Sequence, residues 1–230
     1  MGEKDTAWWI NVAREARSRG MLLLLLTGGE PLLRKDFDEI YLECRKMGFL
    51  VTVNTNGTLI DAQKVKLFAE NPPQRLNITL YGTSPETYGA LCGDESAYEK
   101  VICAIKALKD AGVSIKLNYT ITTYNEADAL KAYDLAKELG VHIQPVSYMF
   151  PPLRASCKAE PVRLTAEEAA KAHFNWQKHH LSDPADFKRF IELTKRGEAP
   201  REFDDDCLDS SGERINCRAG LSTFWGTYDG

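Results

Sequence analysis

The chain of 230 residues has no long apolar run. None approaches the roughly 20 residues that a membrane-crossing helix needs. It also has no excess of one charge. The formal net charge is −4, with 29 basic residues scattered among 33 acidic ones, and nothing points to a nucleic-acid partner or an anionic membrane surface. Met1-Gly2-Glu3-Lys4-Asp5 does not read as a signal peptide, and the leucine run at Leu22–Leu26 is expected to lead into a turn rather than a cleavage site. Six cysteines in a large, mixed-charge chain do not make a secreted disulfide framework. A reducing cytoplasm is the expected compartment, with the thiols free or bound to metal. The thiols are unevenly placed, and none precedes Cys44. This length suffices for one sizeable core with a small appendage.

The chain repeats an amphipathic helix, a stop and an apolar strand. Gly20, Gly48, Gly112 and Gly140 each stand just before an apolar run, as helix-ending glycines do. Pro72-Pro73 ends another helix. The pattern predicts strands over Met21–Thr27, Leu50–Thr55, Leu76–Tyr81, Ser114–Thr122 and Val141–Val146. Phe37, Ile40, Tyr41, Cys44 and Met47 share one helix face, and Val101, Ile102, Ile105 and Leu108 share another. Cys44 and Cys103 are read as core. Such alternation predicts parallel strands with crossover helices. Periodicity alone fits both an open doubly wound sheet and a barrel.

The most informative stretch is Leu22-Leu23-Leu24-Leu25-Leu26-Thr27-Gly28-Gly29-Glu30-Pro31-Leu32. Five leucines predict a strand buried on both faces. Two glycines then let the backbone turn and a ligand come close. Glu30 follows, held by a proline that restricts the local backbone. In parallel α/β folds ligands sit at the carboxyl ends of strands. A fixed acid there suits an ammonium group; the competing reading is an ordinary turn with a solvated Glu.

The longer string Leu26-Thr27-Gly28-Gly29-Glu30-Pro31-Leu32-Leu33-Arg34-Lys35-Asp36-Phe37, followed by Val53-Asn54-Thr55-Asn56-Gly57-Thr58-Leu59, resembles the radical S-adenosylmethionine (radical SAM) superfamily. The first block resembles that family's second strand and methionine-binding motif, the second its third strand. The resemblance implies an α/β fold, a partial (β/α)6 TIM-like barrel, here without its first strand and cluster loop. It implies S-adenosylmethionine as cofactor and a four-iron, four-sulfur (4Fe-4S) cluster held by three cysteines spaced by three and then two residues. No such triad occurs here, because all six cysteines follow Gly-Gly-Glu. The expectation is a chain that begins just inside the family core, whether as a split gene or a fragment. The alternative is a cluster-less fragment that binds cofactor or peptide without catalysis. An unrelated barrel binding a phosphorylated metabolite would need a glycine-rich loop late in the barrel, and Val146–Pro152 has none.

The resemblance also assigns residues. Thr27, Gly28, Gly29 and Glu30 would surround the cofactor ammonium. Asn54 and Asn56 can donate and accept, which suits a ribose or carboxylate; Asn56-Gly57 reads equally as a turn. Thr79-Leu80-Tyr81-Gly82 matches the fourth strand, where Thr79 would meet the cofactor's carboxylate. Many members carry an aspartate where Tyr81 stands. The tyrosine resembles a branch of SPASM-containing peptide maturases and puts a proton-accepting role there in doubt. Asn118 and Gln144 are read either as polar liners or as core residues satisfied by backbone. Cys92 is read either as a hydrogen-atom relay or as a small buried hydrophobe.

Towards the end, Thr165-Ala166-Glu167-Glu168 is a capping box opening a helix. Its His173, Trp176, His179 and His180 read as a linker helix rather than a metal site. Cys207, nine residues and Cys217, with Gly212 between, are weak evidence by themselves; iron–sulfur, zinc and chance all fit. With the tail Cys217-Arg218-Ala219-Gly220 they resemble the opening of a SPASM or twitch extension, whose remaining cysteines would lie further on. The implied organisation is a core over 1–150, a linker with helices over 151–206 and the start of an auxiliary-cluster module over 207–230. Cys207 and Cys217 would ligate an auxiliary 4Fe-4S cluster. The implied partners are a peptide or protein substrate and an electron donor such as flavodoxin or ferredoxin. The implied reaction is reductive cleavage of S-adenosylmethionine to a 5′-deoxyadenosyl radical, which takes a hydrogen atom from the substrate.

Overall fold

The computed structural model describes residues 3–149 and 162–197. Cys207, Cys217 and the boundaries expected at 150 and 207 lie outside the described residues. The chain runs α1 (Thr6–Ser18), β1 (Leu23–Leu26), α2 (Phe37–Lys46), β2 (Leu50–Thr55), α3 (Ala62–Glu70), β3 (Arg75–Thr79), α4 (Pro85–Cys92), α5 (Ala97–Asp110), β4 (Ile115–Thr120), α6 (Ala129–Leu139), β5 (His142–Val146), α7 (Ala166–His180) and α8 (Pro184–Lys195). Lys4–Trp176 form one compact unit. Gln177 onwards belongs to a second, whose described part holds the end of α7 and α8, the latter opened by the Asp183 carboxylate accepting from Ala185 N–H.

All five strands lie parallel in the order β1-β2-β3-β4-β5. Their cores match the expected strands, with each end trimmed or shifted by at most two residues. Local chemistry sets the helix ends. Asp5, Asp61 and Ser84 accept from the backbone N–H of Trp8, Lys64 and Thr87, satisfying donors that a first helical turn leaves orphaned. The capping box closes as read: Glu168 Oε2 accepts from Thr165 N–H at 2.8 Å, and Thr165 Oγ1 accepts from Glu168 N–H at 3.3 Å.

Register gives the sheet two unlike faces. Val51, Val53, Leu76, Ile78, Leu117, Tyr119 and Ile143 are buried on one face, against side chains of α2, α3, α5 and α6. Phe37, Tyr41 and Phe68 form an aromatic knot there, with Tyr41 edge-on to Phe68 at 5.4 Å. Each such side chain contributes about 1.5–3 kcal/mol through burial. Trp176 of α7 joins this unit, stacked on Tyr119 and edge-on to Tyr133. The other face carries the alternate residues, mostly polar: Thr52, Asn54, Arg75, Asn77, Thr79, Lys116, Asn118 and Gln144.

Three expectations need correction. β1 is not buried on both faces: Leu23 and Leu25 are 57% and 48% exposed. Among the described residues β1 pairs only with β2, and helices cover only the face of Leu24 and Leu26. Cys103 is exposed rather than core, because it lies on the far side of α5 from the Val101–Ala104–Ile105–Leu108 stripe. Cys92 is exposed too, at the last residue of α4, so it is no buried hydrophobe. Cys44 is buried as expected, and burial pushes its thiol up to about 11.

The segment after Glu30 is clamped to the chain start. Arg34 grips both oxygens of Asp36 at 3.0 and 2.7 Å, and Thr6 Oγ1 donates to Oδ2 at 2.6 Å. The Arg34 hydrogen bonds hold the Asp36 carboxyl below its ordinary value of 3.8 despite partial desolvation. A lowered folded-state value stabilises the fold above the unfolded-state value and is lost as pH falls through the folded one. Asp36→Asn therefore lowers stability at neutral pH and flattens its fall below about pH 4, read by urea denaturation across pH 2–7. Gly57 has φ +78°, and a Cβ there would stand 3.0 Å from Ile78 Cγ2. Gly57→Ala should cost about 1–3 kcal/mol in the same assay.

Candidate functional site at the carboxyl strand ends

β1 ends at Leu26, and Thr27, Gly28 and Gly29 emerge exposed at its tip. Gly28 has φ +153°, and a Cβ at either glycine would meet nothing within 4 Å. The peptide backbone there is open to an approaching group. Pro31 then starts a short 3-10 turn, Pro31–Leu33, which Glu30 caps: Leu32 N–H donates to Glu30 Oε1 at 3.1 Å.

Glu30 also reaches across to β2. Thr55 Oγ1 donates to Oε1 at 2.7 Å, and Asn56 N–H donates to Oε2 at 2.7 Å. The carboxylate is half-buried and joins the tips of two strands, so it is not the solvated residue of an ordinary turn. A carboxylate has about four acceptor positions. Three are used here, and the one left is on Oε2. Thr55 is itself fixed, because Oγ1 accepts from Gly57 N–H at 3.0 Å.

The structure brings the other expected residues to the same side with different freedom. Asn56 Oδ1 accepts from Thr58 N–H and Oγ1 at 2.9 and 2.7 Å, so the turn reading holds for its oxygen. Asn54 lies on the polar face, and its Oδ1 accepts from Asn77 Nδ2 at 2.7 Å. Thr79, Asn118 and Gln144 are register neighbours in one row across β3, β4 and β5. Gln144 is no backbone-satisfied core residue: its Oε1 accepts from Lys116 Nζ at 2.6 Å. Arg75, Asn77 and Lys116 were not anticipated. Their signal was the alternation Arg75-x-Asn77-x-Thr79 and Lys116-x-Asn118-x-Thr120, which puts all six on one face.

Tyr81 lies just beyond β3, edge-on to Tyr88 at 5.9 Å. Burial raises its phenol above the ordinary value of 10.0, with the negative charges of Cys92 and Glu30 adding to the shift. A phenol so held is a hydrogen-bond donor at neutral pH and supplies no proton-accepting carboxylate. Among the described residues no group of three His, Cys, Asp or Glu stands together as a metal site. Cys44, Cys92 and Cys103 lie on three different helices. These residues do not fit an iron–sulfur cluster.

Replacing Thr55 by valine removes one donor to Glu30 while keeping the β-branched shape. Thr55→Val should cost about 1.5–3 kcal/mol, the range for a hydrogen bond to a charged group, measured by urea unfolding with Thr55→Ser restoring most of it.

Comparison with known proteins places this geometry. The radical SAM superfamily matches residues 3–136, more than half of the chain. The AdoMet-dependent heme synthase of Methanosarcina barkeri is 34% identical over 137 residues, 60% of this chain and 39% of that protein. The "Probable GTP 3',8-cyclase" of Saccharolobus solfataricus is 38% identical over 135 residues, 57% of this chain and 42% of that protein. The chain thus spans about two-fifths of the length of these curated relatives. Among solved structures, SuiB of Streptococcus suis superposes with TM-score 0.60 at 18% identity, over 86% of this chain and 42% of that one. The enzyme anSMEcpe, solved with AdoMet and the Cp18Cys peptide, gives TM-score 0.61 at 21% identity, over 86% and 55%. The five-stranded parallel sheet with its helices is similar to the partial barrel of these neighbours, and with the family match over residues 3–136 the chain belongs to the radical SAM superfamily.

Proposed function

We propose that this chain is the S-adenosylmethionine-binding part of an enzyme that modifies a peptide or protein side chain. The observation that carries the cofactor reading is Glu30. Its carboxylate is fixed at two strand tips, keeps one acceptor position on Oε2, and adjoins the exposed backbone of Gly28 and Gly29. That combination suits an ammonium group, which donates to the carboxylate and to carbonyl oxygens nearby. The peptide reading draws on Tyr81-Gly82 and on the fold neighbours, since SuiB has been solved with its precursor peptide and anSMEcpe with the Cp18Cys peptide. The heme synthase and cyclase names leave the substrate reading to those two supports.

When bound, S-adenosylmethionine supplies a 5′-deoxyadenosyl radical on receiving one electron, and the protein orients it and excludes side reactions. Glu30 would accept from the ammonium, with Thr27, Gly28 and Gly29 lining the same group. Thr55 and Asn56 N–H hold Glu30 in place, so the acid is positioned before any ligand arrives. Asn54, Asn56 and Thr79 would meet the ribose and carboxylate, and Asn118 and Gln144 would line the interior. The cluster thiolates are not among the described residues. In this reading the three that bind the cofactor-chelating cluster come from outside these 230 residues, Cys207 and Cys217 serve an auxiliary cluster, and a flavodoxin or ferredoxin supplies the electron.

Two outcomes follow. The 230-residue chain, treated anaerobically with iron and sulfide, yields no 5′-deoxyadenosine by chromatography; its formation would overturn the assignment of the cluster ligands. Glu30→Ala in a longer form that binds S-adenosylmethionine weakens that binding by about 1.5–3 kcal/mol, as for loss of one charge-assisted contact, in equilibrium dialysis. Unchanged affinity removes Glu30 from the role.

A further inference from the structure

The oxygen and nitrogen of a side-chain amide have the same shape, so only their partners tell them apart. On the polar face of the sheet, cations make that choice. An ammonium donates and never accepts. The Gln144 atom 2.6 Å from Lys116 Nζ is therefore the oxygen. This turns Nε2 and its two N–H groups the other way, and no described residue accepts from them. A second relay obeys the same rule. Arg75 Nε donates to Asn77 Oδ1 at 3.1 Å, so Asn77 Nδ2 faces Asn54 Oδ1 at 2.7 Å and leaves the Asn54 N–H groups outward. Both relays begin at a donor-only cation and end in donors. None of the strand residues on this face is Asp or Glu.

The two ends stand on β2 and β5, three strand spacings apart, or about 14 Å along the sheet. In an amino acid the ammonium and carboxylate are separated by only a few ångströms. A methionine moiety whose ammonium sits at Glu30 can place its carboxylate near Asn54, which is next but one to Asn56 on the same strand tip. It does not reach Gln144. The donors on β5 are therefore aimed at something else that accepts hydrogen bonds and favours nearby positive charge.

We infer that Gln144, held by Lys116, forms a subsite for a carboxylate carried by the substrate. This deepens the reading above, since it names the chemistry of that reading's substrate. Lys116 is a positioning residue here: it is 7% exposed, it sets which amide atom faces the ligand, and its charge adds to the attraction. His142, its register neighbour on β5, adds a second basic residue to the same face. The site complements Glu30. One end of the polar face takes a cation and the other an anion.

The test uses the full chain, isotope-labelled, and two small probes of equal shape: N-acetylglutamate α-amide, with one carboxylate, and N-acetylglutamine α-amide, with none. The side-chain N–H resonances of Gln144 shift saturably with the first and not with the second. Lys116→Met weakens that response about tenfold, the effect of one charge-assisted contact, and Lys116→Arg, also donor-only, restores it. Gln144→Glu keeps the Lys116 partner and replaces the donors by an acceptor; the carboxylate probe then no longer shifts the backbone amides of Asn118 and Val146, which it shifts in the unaltered chain, while the rest of the backbone spectrum shows the fold intact. Equal shifts with both probes, or none with either, overturn the inference. So does a Gln144 shift produced by S-adenosylmethionine and not by the carboxylate probe. In the longer form that binds S-adenosylmethionine, the backbone amides of Gly28 and Gly29 report that ligand separately. If they stay silent while Gln144 responds to carboxylate, the cofactor reading fails and the subsite remains; if they respond while Gln144 does not, only the subsite is lost.

Discussion

One carboxylate holds the functional end of this protein together. Glu30 caps the turn that follows its own strand and takes two further hydrogen bonds from the tip of the next. Gly28, Gly29, Pro31, Thr55 and Asn56 all derive their placement from it or serve it. The glycines open the backbone beside it, the proline starts the turn it caps, and Thr55 and Asn56 fasten it to β2. A carboxylate desolvated to this degree is costly unless its lone pairs are engaged. Engaging three of them rigidifies the site, and leaving one preserves a place for a ligand donor.

The sheet applies the same economy at larger scale. Parallel strands in register send alternate side chains to opposite faces. Here one alternation is Val, Leu, Ile and Tyr against helices, and the other is amides, hydroxyls and cations. The apolar face supplies the stability. The polar face can then carry Arg75, Asn77 and Lys116, which a two-sided core would not tolerate, because each donates to an amide oxygen on its own or a neighbouring strand.

Much of this was legible along the chain. The helix stops at Gly20, Gly48, Gly112 and Gly140 all adopt positive φ, as a left-handed stop requires. The apolar spacing of Phe37, Ile40, Tyr41 and Cys44 marked a buried face correctly. Other features were misread for identifiable reasons. The leucine run is equally apolar whether one face or both are covered, and composition does not say that β1 has a single described neighbour. Cys103 stands among apolar residues in sequence but a helix turns it away from them. Asn56 and Asn54 look alike two residues apart, yet one spends its oxygen on a turn and the other on Asn77.

What the sequence determined by itself is the order of elements, the two-residue alternation on each strand and the motif that ends in Glu30, since these depend on spacing and on the conformational limits of glycine and proline. The tertiary structure alone decided the partners. Which oxygen of Glu30 stays available, and which atoms of Asn54 and Gln144 face outward, depend on residues 20 to 30 positions away in the chain. Hydrogen bonds are directional and short in range, so their polarity is set only when the strands lie side by side.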